Sequence, residues 1–399
     1  MNTQKITFVS FLLWTVCLMA NAQHSIMVGN LEFLIHDTYA EVMNSGKLEG
    51  AIVIPETVDD KGTKYTVKRI ARDSFYECMI ESVEIPNTVE RIGSRAFCGC
   101  ANLKEVTFPS SLKEIGVSAF ARTGLTRIDV PNNVTTIEES AFMNCQSLTE
   151  AKINCKTIGE AAFKDDNALR TIMIGENASS ILYRAFYKCA SLESVSIADS
   201  LKVIGGEAFY ECGELKNVEI KSKVVRYGAN PFKGCNKLNS VKAPSEIKPA
   251  ALFAGSAYTK KLLSGTWIIA GKSHGRAPAN VKITITLNSD GNYIAKVHHT
   301  NSYKIRFNNG SVGTARESAT GEYSGTWDSV AGGSIKFNGG RKKLLSSSYT
   351  ENGKVVRSHR PELMFDNLGD MVLKKTWEYV DNNTMKFDYW VMKKSVTKK

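Results

Sequence analysis

After Ala20 the chain carries no apolar run of membrane-spanning length, so everything beyond that point reads as soluble or peripherally held. The common catalytic signatures are missing too. There is no Gly-x-Ser-x-Gly elbow, no His-Glu-x-x-His and no glycine-rich loop placed to cradle a phosphate. Gly332-Gly333-Ser334 and Gly339-Gly340 sit between strand-like segments and read as turns. Histidine is scarce, with six residues, and the one cluster, His298-His299, sends neighbours to opposite faces of a strand. The close cysteine pair Cys98-x-Cys100 has no histidine at ligand spacing. These gaps point away from an enzyme, a metal centre or a bound cofactor. No nucleic-acid motif is present either.

The N-terminus sets the compartment. Lys5 precedes an apolar run from Ile6 to Ala20, and Ala20-Asn21-Ala22 offers small residues where a signal peptidase cuts. The reading is a signal peptide over residues 1–22, cleaved after Ala22, and a mature chain that is secreted, periplasmic or on the outer cell surface. Cys17 lacks the small residues before it that a lipoprotein signal needs.

What the sequence has in abundance is self-similarity. Units begin at Ile80, Leu103, Leu125, Leu148, Leu169, Leu192, Leu215 and Leu238, a period of about 23 residues. One unit reads Leu103-x-x-Val106-x-Phe108-Pro109-x-x-Leu112-x-x-Ile115-Gly116-x-x-Ala119-Phe120, and the unit at Ile80 repeats it through Val83, Ile85, Pro86, Val89, Ile92, Gly93, Ala96 and Phe97. The first stretch is a short strand with alternate side chains inward, and proline ends it because it cannot donate to a ladder. A second inward ridge follows, glycine turns a corner, and Ala-Phe plugs the far side. Phe75, Phe97, Phe120, Phe142, Phe163, Phe186, Phe209 and Phe232 are expected to form one ladder. A unit this small cannot bury its apolar side alone, so neighbours must stack. The unit at Leu148 is two residues short, with Cys155 as a small hydrophobe where Val134 stands one unit earlier.

The pattern Leu-x-x-Val-x-Ile-Pro-x-x-Val-x-x-Ile-Gly-x-x-Ala-Phe-x-x-Cys resembles the BspA-type leucine-rich repeat of bacterial surface antigens. The lead-in, Ile54-Pro55-x-x-Val58 and then Gly62-x-x-Tyr65-x-Val67-x-x-Ile70, is similar to the segment before such repeats. Gly175, Ala198 and Lys221 depart from it at the proline, and Pro231 at the alanine before Phe232. The resemblance spans roughly residues 28 to 245. It implies a secreted or surface protein, often adhesive, with no shared enzymatic activity.

Six of nine cysteines lie three residues after a ladder phenylalanine: Cys78, Cys100, Cys145, Cys189, Cys212 and Cys235. An exported protein invites disulfides. Yet Cys145 has Thr123 and Asp166 as its ladder neighbours, and side chains in a ladder point the same way. Buried free thiols are the reading.

After Leu262 period-2 strands take over, as in Val281-x-Ile283-x-Ile285-x-Leu287, Tyr293-x-Ala295-x-Val297 and Met385-x-Phe387-x-Tyr389-x-Val391. Gly265-Thr266-Trp267 and Gly325-Thr326-Trp327 resemble the Gly-x-Trp features of lipocalin-like barrels. Trp267 and Trp327 read as core packing or as pocket lining. From Leu263 to Lys399, 21 Lys and Arg stand against 11 Asp and Glu, a net +10, nearly all of the chain's +11. Such an excess serves either solubility or attraction to an anionic surface.

The expected fold is therefore mainly β: a leucine-rich repeat solenoid of short parallel strands followed by a small antiparallel barrel or sandwich. Its parts are an N-terminal cap with a partial repeat over 23–70, repeats over 71–245, a linker over 246–262 and a basic β domain over 263–399. The expected function is binding or adhesion to a protein or glycan, the alternative a carrier of a small apolar ligand in the barrel. If the repeat presents its sheet as other leucine-rich repeats do, Glu84, Thr107, Asp129, Lys152, Met173, Ser196, Glu219 and Lys242 face outward as candidate contacts, with Trp267 and Trp327 as barrel candidates.

Overall fold

A computed structural model describes residues 24–43, 46–223, 226–272, 280–306, 310–330, 334–351, 354–355, 376–381, 384–387 and 390–394. The signal peptide expected over 1–22 lies outside the described residues. The protein is mainly β and divides into two compact units, Met1–Cys212 with Glu219–Arg226, and Gly213–Val218 with Tyr227–Lys399.

The first unit is a β-solenoid. It opens with three antiparallel strands, His24–Val28, Leu31–Ile35 and Ala40–Val42, the last running parallel to Thr63–Ile70. Buried Phe33, Ala40 and Val42 cover the first coil, which has no coil before it to do so. From there every coil adds one strand to each of two parallel sheets. Arg69 and Ile70 stand beside Arg91 and Ile92, which stand beside Glu114 and Ile115, and so on coil by coil to Val203 and Ile204. On the other side Arg127–Val130, Glu150–Ile153, Thr171–Ile174 and Ser194–Ile197 pair in one unbroken register. Their burial alternates as the repeat requires, outward residue then inward residue.

The phenylalanine ladder holds through this unit. Rings from Phe75 to Phe209 stack face to face with centroids 4.9 to 5.4 Å apart and planes within 12° of parallel. Each ring is fully buried. The repeat spacing forces this geometry, because parallel strands lie about 4.8 Å apart and bring equivalent side chains to stacking distance.

The glycine after the isoleucine works differently from the corner expected of it. Gly93 and Gly116 have ordinary negative φ. A Cβ on Gly93 would lie 2.8 Å from the Ala71 carbonyl carbon, and one on Gly116 2.8 Å from that of Gly93. Close approach between coils is the constraint. Left-handed backbone occurs instead two residues on either side of each ladder phenylalanine, as at Arg95 (φ 56°) and Glu77 (φ 55°), where ordinary residues accept it.

All eight described cysteines are free and buried. Each ladder thiol has a job: Cys100 Sγ donates to Phe75 O (2.9 Å), Cys145 to Phe120 O (3.1 Å), Cys189 to Phe163 O (3.1 Å) and Cys212 to Phe186 O (3.2 Å). Thr123 substitutes by bonding Phe120 O of its own coil at 2.9 Å. Asp166 accepts from the Cys145 N–H at 2.6 Å, but its other oxygen has no partner. Burial drives the thiols of Cys100 and Cys155 up to about 12, which makes them poor nucleophiles.

The second unit begins with the end of the repeats. Residues 246–262, expected as a linker, hold the helices Pro249–Leu252 and Ala257–Leu263, the second capped by the Ser256 hydroxyl accepting from Thr259 N. Phe253 lies 4.6 Å from Phe232, and Ser256 follows it at the spacing of the ladder cysteines, so Ala251 to Ser256 forms part of one more coil. Gly255 N donates to Ser329 Oγ, and Ala250 and Leu263 join the same core as Trp267, Trp327 and Trp377. End of solenoid and start of barrel share one core.

Among the described residues nine antiparallel strands follow: a short one, Lys354–Val355, that pairs with Ser334–Glu351, and eight that form the wall, Gly265–Lys272, Asn280–Leu287, Asn292–Arg306, Val312–Val330, Ser334–Glu351, Thr376–Asp381, Thr384–Phe387 and Trp390–Lys394. Each pairs with its sequence neighbours, and the first pairs with the last, which closes a ring. The wall is uneven, with long strands on one side and a seam of two residue pairs, Ile335 with Trp377 and Lys336 with Thr376, on the other. The run expected as one strand through Met385 and Val391 is two paired strands, with Phe387 opposite Trp390. Alternation survives such a reversal, so pattern alone does not reveal it.

Two outcomes follow for stability. Phe163→Ala removes a ring buried between two others, and urea denaturation should show a loss of about 3–5 kcal/mol. Burial holds the Asp166 carboxyl well above its ordinary value. The folded state therefore keeps a proton that the unfolded chain gives up near pH 4, and stability falls as pH rises from there through the raised value. Asp166→Asn should gain on the parent by about 1 kcal/mol or more near neutral pH and lose that advantage below pH ~4, as read from melts across pH.

Candidate binding face

The outward face of the longer-strand sheet is an extended surface that the repeat itself does not cover. Asp129, Lys152, Met173 and Ser196 stand side by side on it in strict register, and Glu84 stands beside Thr107 in the preceding strands. Glu84, Thr107, Asp129 and Met173 are exposed, Lys152 and Ser196 half-buried. Met173, at 55% exposure, is an apolar side chain with nothing over it. Glu219 is half-buried and Lys242 exposed on their own strands.

The face is interrupted at one place. No strand pairing joins Glu105–Thr107 to Arg127–Val130, so the sheet ends after Glu105–Thr107 and a new one starts. The turn leading into Leu125 explains this: five residues separate Phe120 from Leu125, where six separate Phe142 from Leu148 and Phe163 from Leu169. Gly124 makes the short turn possible, since a Cβ there would fall 2.2 Å from Ala101 O. Thr126 reaches Lys104 O through both its N–H (3.1 Å) and its hydroxyl (3.4 Å), and no strand pairing follows. Phe108 fills the space beneath, edge-on to Phe120 at 5.4 Å and Phe142 at 6.3 Å, where the following coils use valine or isoleucine. Val106 is only half-buried, although its counterparts Val83 and Ile128 are covered.

The result is a groove of about 590 Å³ walled by Glu105, Thr107, Arg127, Asp129, Glu150 and Lys152 over a floor that includes Phe108. A second hollow of about 350 Å³ continues from Asp129 and Lys152 past Asn154 and Met173 to Ser196. Asp129 and Lys152 border both. Arg127 and Glu150 pair across the coils at 3.2 Å, and both are partly exposed. The groove therefore carries charge of both signs over an apolar floor, with hydrogen-bond donors and acceptors along its walls.

Five of the outward positions expected from the repeat, Thr107, Asp129, Lys152, Met173 and Ser196, line these two hollows. Glu105, Arg127 and Glu150 were not among them. They lie two residues before the outward position in each strand, and period-2 alternation places them on the same side. Trp267 and Trp327 sit elsewhere, in the barrel core, 0% and 2% exposed. Trp267 Nε1 donates to Leu263 O at 2.9 Å and Trp327 Nε1 to Asn288 O at 3.0 Å, so neither indole is turned to solvent.

Residues 68–181 and 156–260 match the model of the BspA type leucine rich repeat region, in six copies. That match stops short of the barrel strands and does not reach the lipocalin-like features. No curated protein matches the chain. Among solved structures, a leucine rich cell surface protein from Faecalibacterium prausnitzii A2-165 is similar at 24% identity, over 60% of this chain and 82% of that one, with a TM-score of 0.40. A leucine-rich repeat protein from Bacteroides ovatus matches at 23% identity over 58% and 81% (TM-score 0.37), and the T. pallidum Leucine Rich Repeat protein at 22% over 54% and 91% (TM-score 0.43). No helix among the described residues is long and apolar enough to cross a membrane.

The face should be separable from the fold. Asp129→Ala with Lys152→Ala changes exposed or half-exposed groups only, and stability should move by less than about 0.5 kcal/mol in denaturant titration, whereas Phe108→Ala should cost about 3 kcal/mol or more.

Proposed function

We propose that the chain is a secreted or cell-surface binding protein that recognises a protein or glycan through the sheet face centred on Asp129 and Lys152. The observation that carries this reading is the broken sheet. Stacked coils otherwise leave a smooth wall, and here one shortened turn opens a groove with mixed charge along its rim and an aromatic floor. Such a groove offers a partner backbone groups, ions and an apolar contact within one footprint. BspA-type repeats are often found on cell surfaces, and the signal-peptide reading of residues 1–22 agrees with that setting.

Catalysis plays no part in the reading. The charges on the groove rim oppose one another in near pairs, as Arg127 does Glu150. The barrel adds a second contact in this proposal. Lys282, Lys296, Lys304, Arg316, Lys336, Arg341 and Lys343 are exposed on its long strands, a basic wall suited to holding the protein against an anionic surface. An apolar-ligand carrier is not supported, because Trp267, Trp327, Trp377, Tyr293 and Phe337 pack together with aliphatic side chains into a single core.

Immobilised full-length protein, incubated with envelope extracts and host-surface material, tests the reading. The parent should capture a partner saturably, and the Asp129→Ala/Lys152→Ala variant, still folded by melting, should bind at least about ten-fold more weakly. Equal capture by parent and variant would remove the face from the function.

A further inference from the structure

The broken sheet leaves two strand edges facing one another without a ladder, and the intact coils show which backbone groups lie along them. Where the ladder is whole, the carbonyl of an inward residue accepts from the coil that follows: Ile153 O from Gly175 N (2.9 Å), Ile174 O from Ala198 N (3.1 Å) and Ile197 O from Lys221 N (3.0 Å). Thr126 O accepts from Thr149 N (2.8 Å) in the same sense. Successive residues of a strand send their backbone groups to opposite edges. Thr126, Ile128 and Val130 therefore address Glu150–Ile153, and Arg127 and Asp129 address the break.

The other side of the break follows the same alternation. Lys104 O points forward to Thr126 N, so the N–H and C=O of Val106, two residues on, also face the break. Glu105–Thr107 pairs with Met79–Glu84 behind it, Arg127–Val130 with Glu150–Ile153 ahead of it, and neither with the other. Backbone donors and acceptors at strand spacing along an unpaired edge are a template for one more strand. Charge narrows what that strand carries. Arg127 is held by Glu150 at 3.2 Å, whereas Glu105 and Asp129 are exposed and enter no ion pair among the described residues. Glu84, beside Thr107, is exposed as well. Against these three carboxylates the outward positions nearby hold one cation outside the Arg127–Glu150 pair, Lys152, so the edge is acidic.

We infer that the partner enters this break as an extended, basic polypeptide segment that adds a strand to the Arg127–Val130 edge, its backbone paired with Arg127 and Asp129 and its cationic side chains beside Glu105 and Asp129. The inference rests on the sheet face being the binding surface and narrows its partner to a polypeptide. Arg127 and Asp129 lie two residues apart in one strand, so their groups recur at about 7 Å, the repeat of an extended peptide. A glycan has hydroxyls but no paired N–H and C=O at that repeat. Alternate side chains of an added strand point to opposite faces, so every second residue turns toward the floor at Phe108 and the others toward the carboxylates. The preferred segment thus alternates apolar and basic residues.

Fluorescence anisotropy of a labelled heptapeptide of alternating lysine and valine, titrated with the full-length protein, tests it. Saturable one-to-one binding is expected, with the glutamate–valine counterpart at least about ten-fold weaker. Asp129→Ala removes the carboxylate and keeps the N–H, whereas Asp129→Pro removes both and spares the ladder to Glu150–Ile153. The proline variant, folded by melting, should bind at least about ten-fold more weakly than the alanine variant. Amide exchange at Asp129 of the unmutated protein needs no variant and should slow as the peptide saturates. Absence of saturable binding, equal affinity in folded alanine and proline variants, or unchanged exchange at Asp129 would each overturn strand addition. An envelope or host partner captured equally by Asp129→Ala and Asp129→Pro, yet lost in Asp129→Ala/Lys152→Ala, would overturn it while leaving the sheet face as the binding surface.

Discussion

The structure depends on seven phenylalanine rings lying one on another at about 5 Å. A coil of some 23 residues has too little interior to fold by itself, since ordering it costs about 1–2 kcal/mol per residue in backbone entropy alone. The ring from each coil finds its apolar surroundings only between the rings of its neighbours. Stability is thus a property of interfaces between coils, and the two ends need special treatment. At the start, antiparallel strands carrying Phe33 and Val42 close the first coil. At the far end, Phe253 on an incomplete coil packs against Phe232. A solenoid that ended at Leu238 would leave an apolar coil open to water.

The cysteine ladder follows from the same geometry. Cys100, Cys145, Cys189 and Cys212 each send the thiol to a phenylalanine carbonyl in the coil before, a second donor beside the turn N–H that Phe75 O, Phe163 O and Phe186 O already accept, while Cys78 reaches Gly46 O. Only a small side chain with a weak donor fits there. Threonine is tolerated by bonding within its own coil, and aspartate at the cost of a carboxyl that burial holds well above its ordinary range. The thiols are thereby turn-closing groups, and their retention does not require a disulfide partner. The same fixed spacing explains the contrast between inner and outer positions. Inward residues must match the residue one coil away, whereas outward residues meet only solvent and each other.

Much of this was legible in the residues. The period, the ladder and the inward and outward positions follow from spacing, because each coil repeats one pattern against itself. Asp129, Lys152 and Met173 were legible as outward for that reason. The groove was not, although its cause was in plain sight: a single residue is missing between Phe120 and Leu125, and its consequence depends on how strands pair in three dimensions. The role of Gly93 was misjudged for a related reason, since sequence shows a glycine but not the backbone pressing on it. The additional coil around Phe253 was hidden because Pro249 and the short helices interrupt the pattern. In the barrel, alternation identified strands well and their joints poorly, as Phe387 and Trp390 show.

A broken ladder is also the place where a repeat protein acquires an address. Where coils pair perfectly, backbone N–H and C=O groups are consumed by their neighbours and the face offers side chains alone. At the break, Glu105–Thr107 and Arg127–Val130 are no longer joined by a strand ladder, and the backbone edge there is open to a partner's hydrogen bonds. Deleting one residue therefore does two things together: it opens space above Phe108 and it frees the polar groups that would line a contact. Either alone would be a defect, an apolar hollow or an unmet edge. Both fall together beside Asp129 and Lys152, and the proposed recognition rests on that departure from an otherwise periodic molecule.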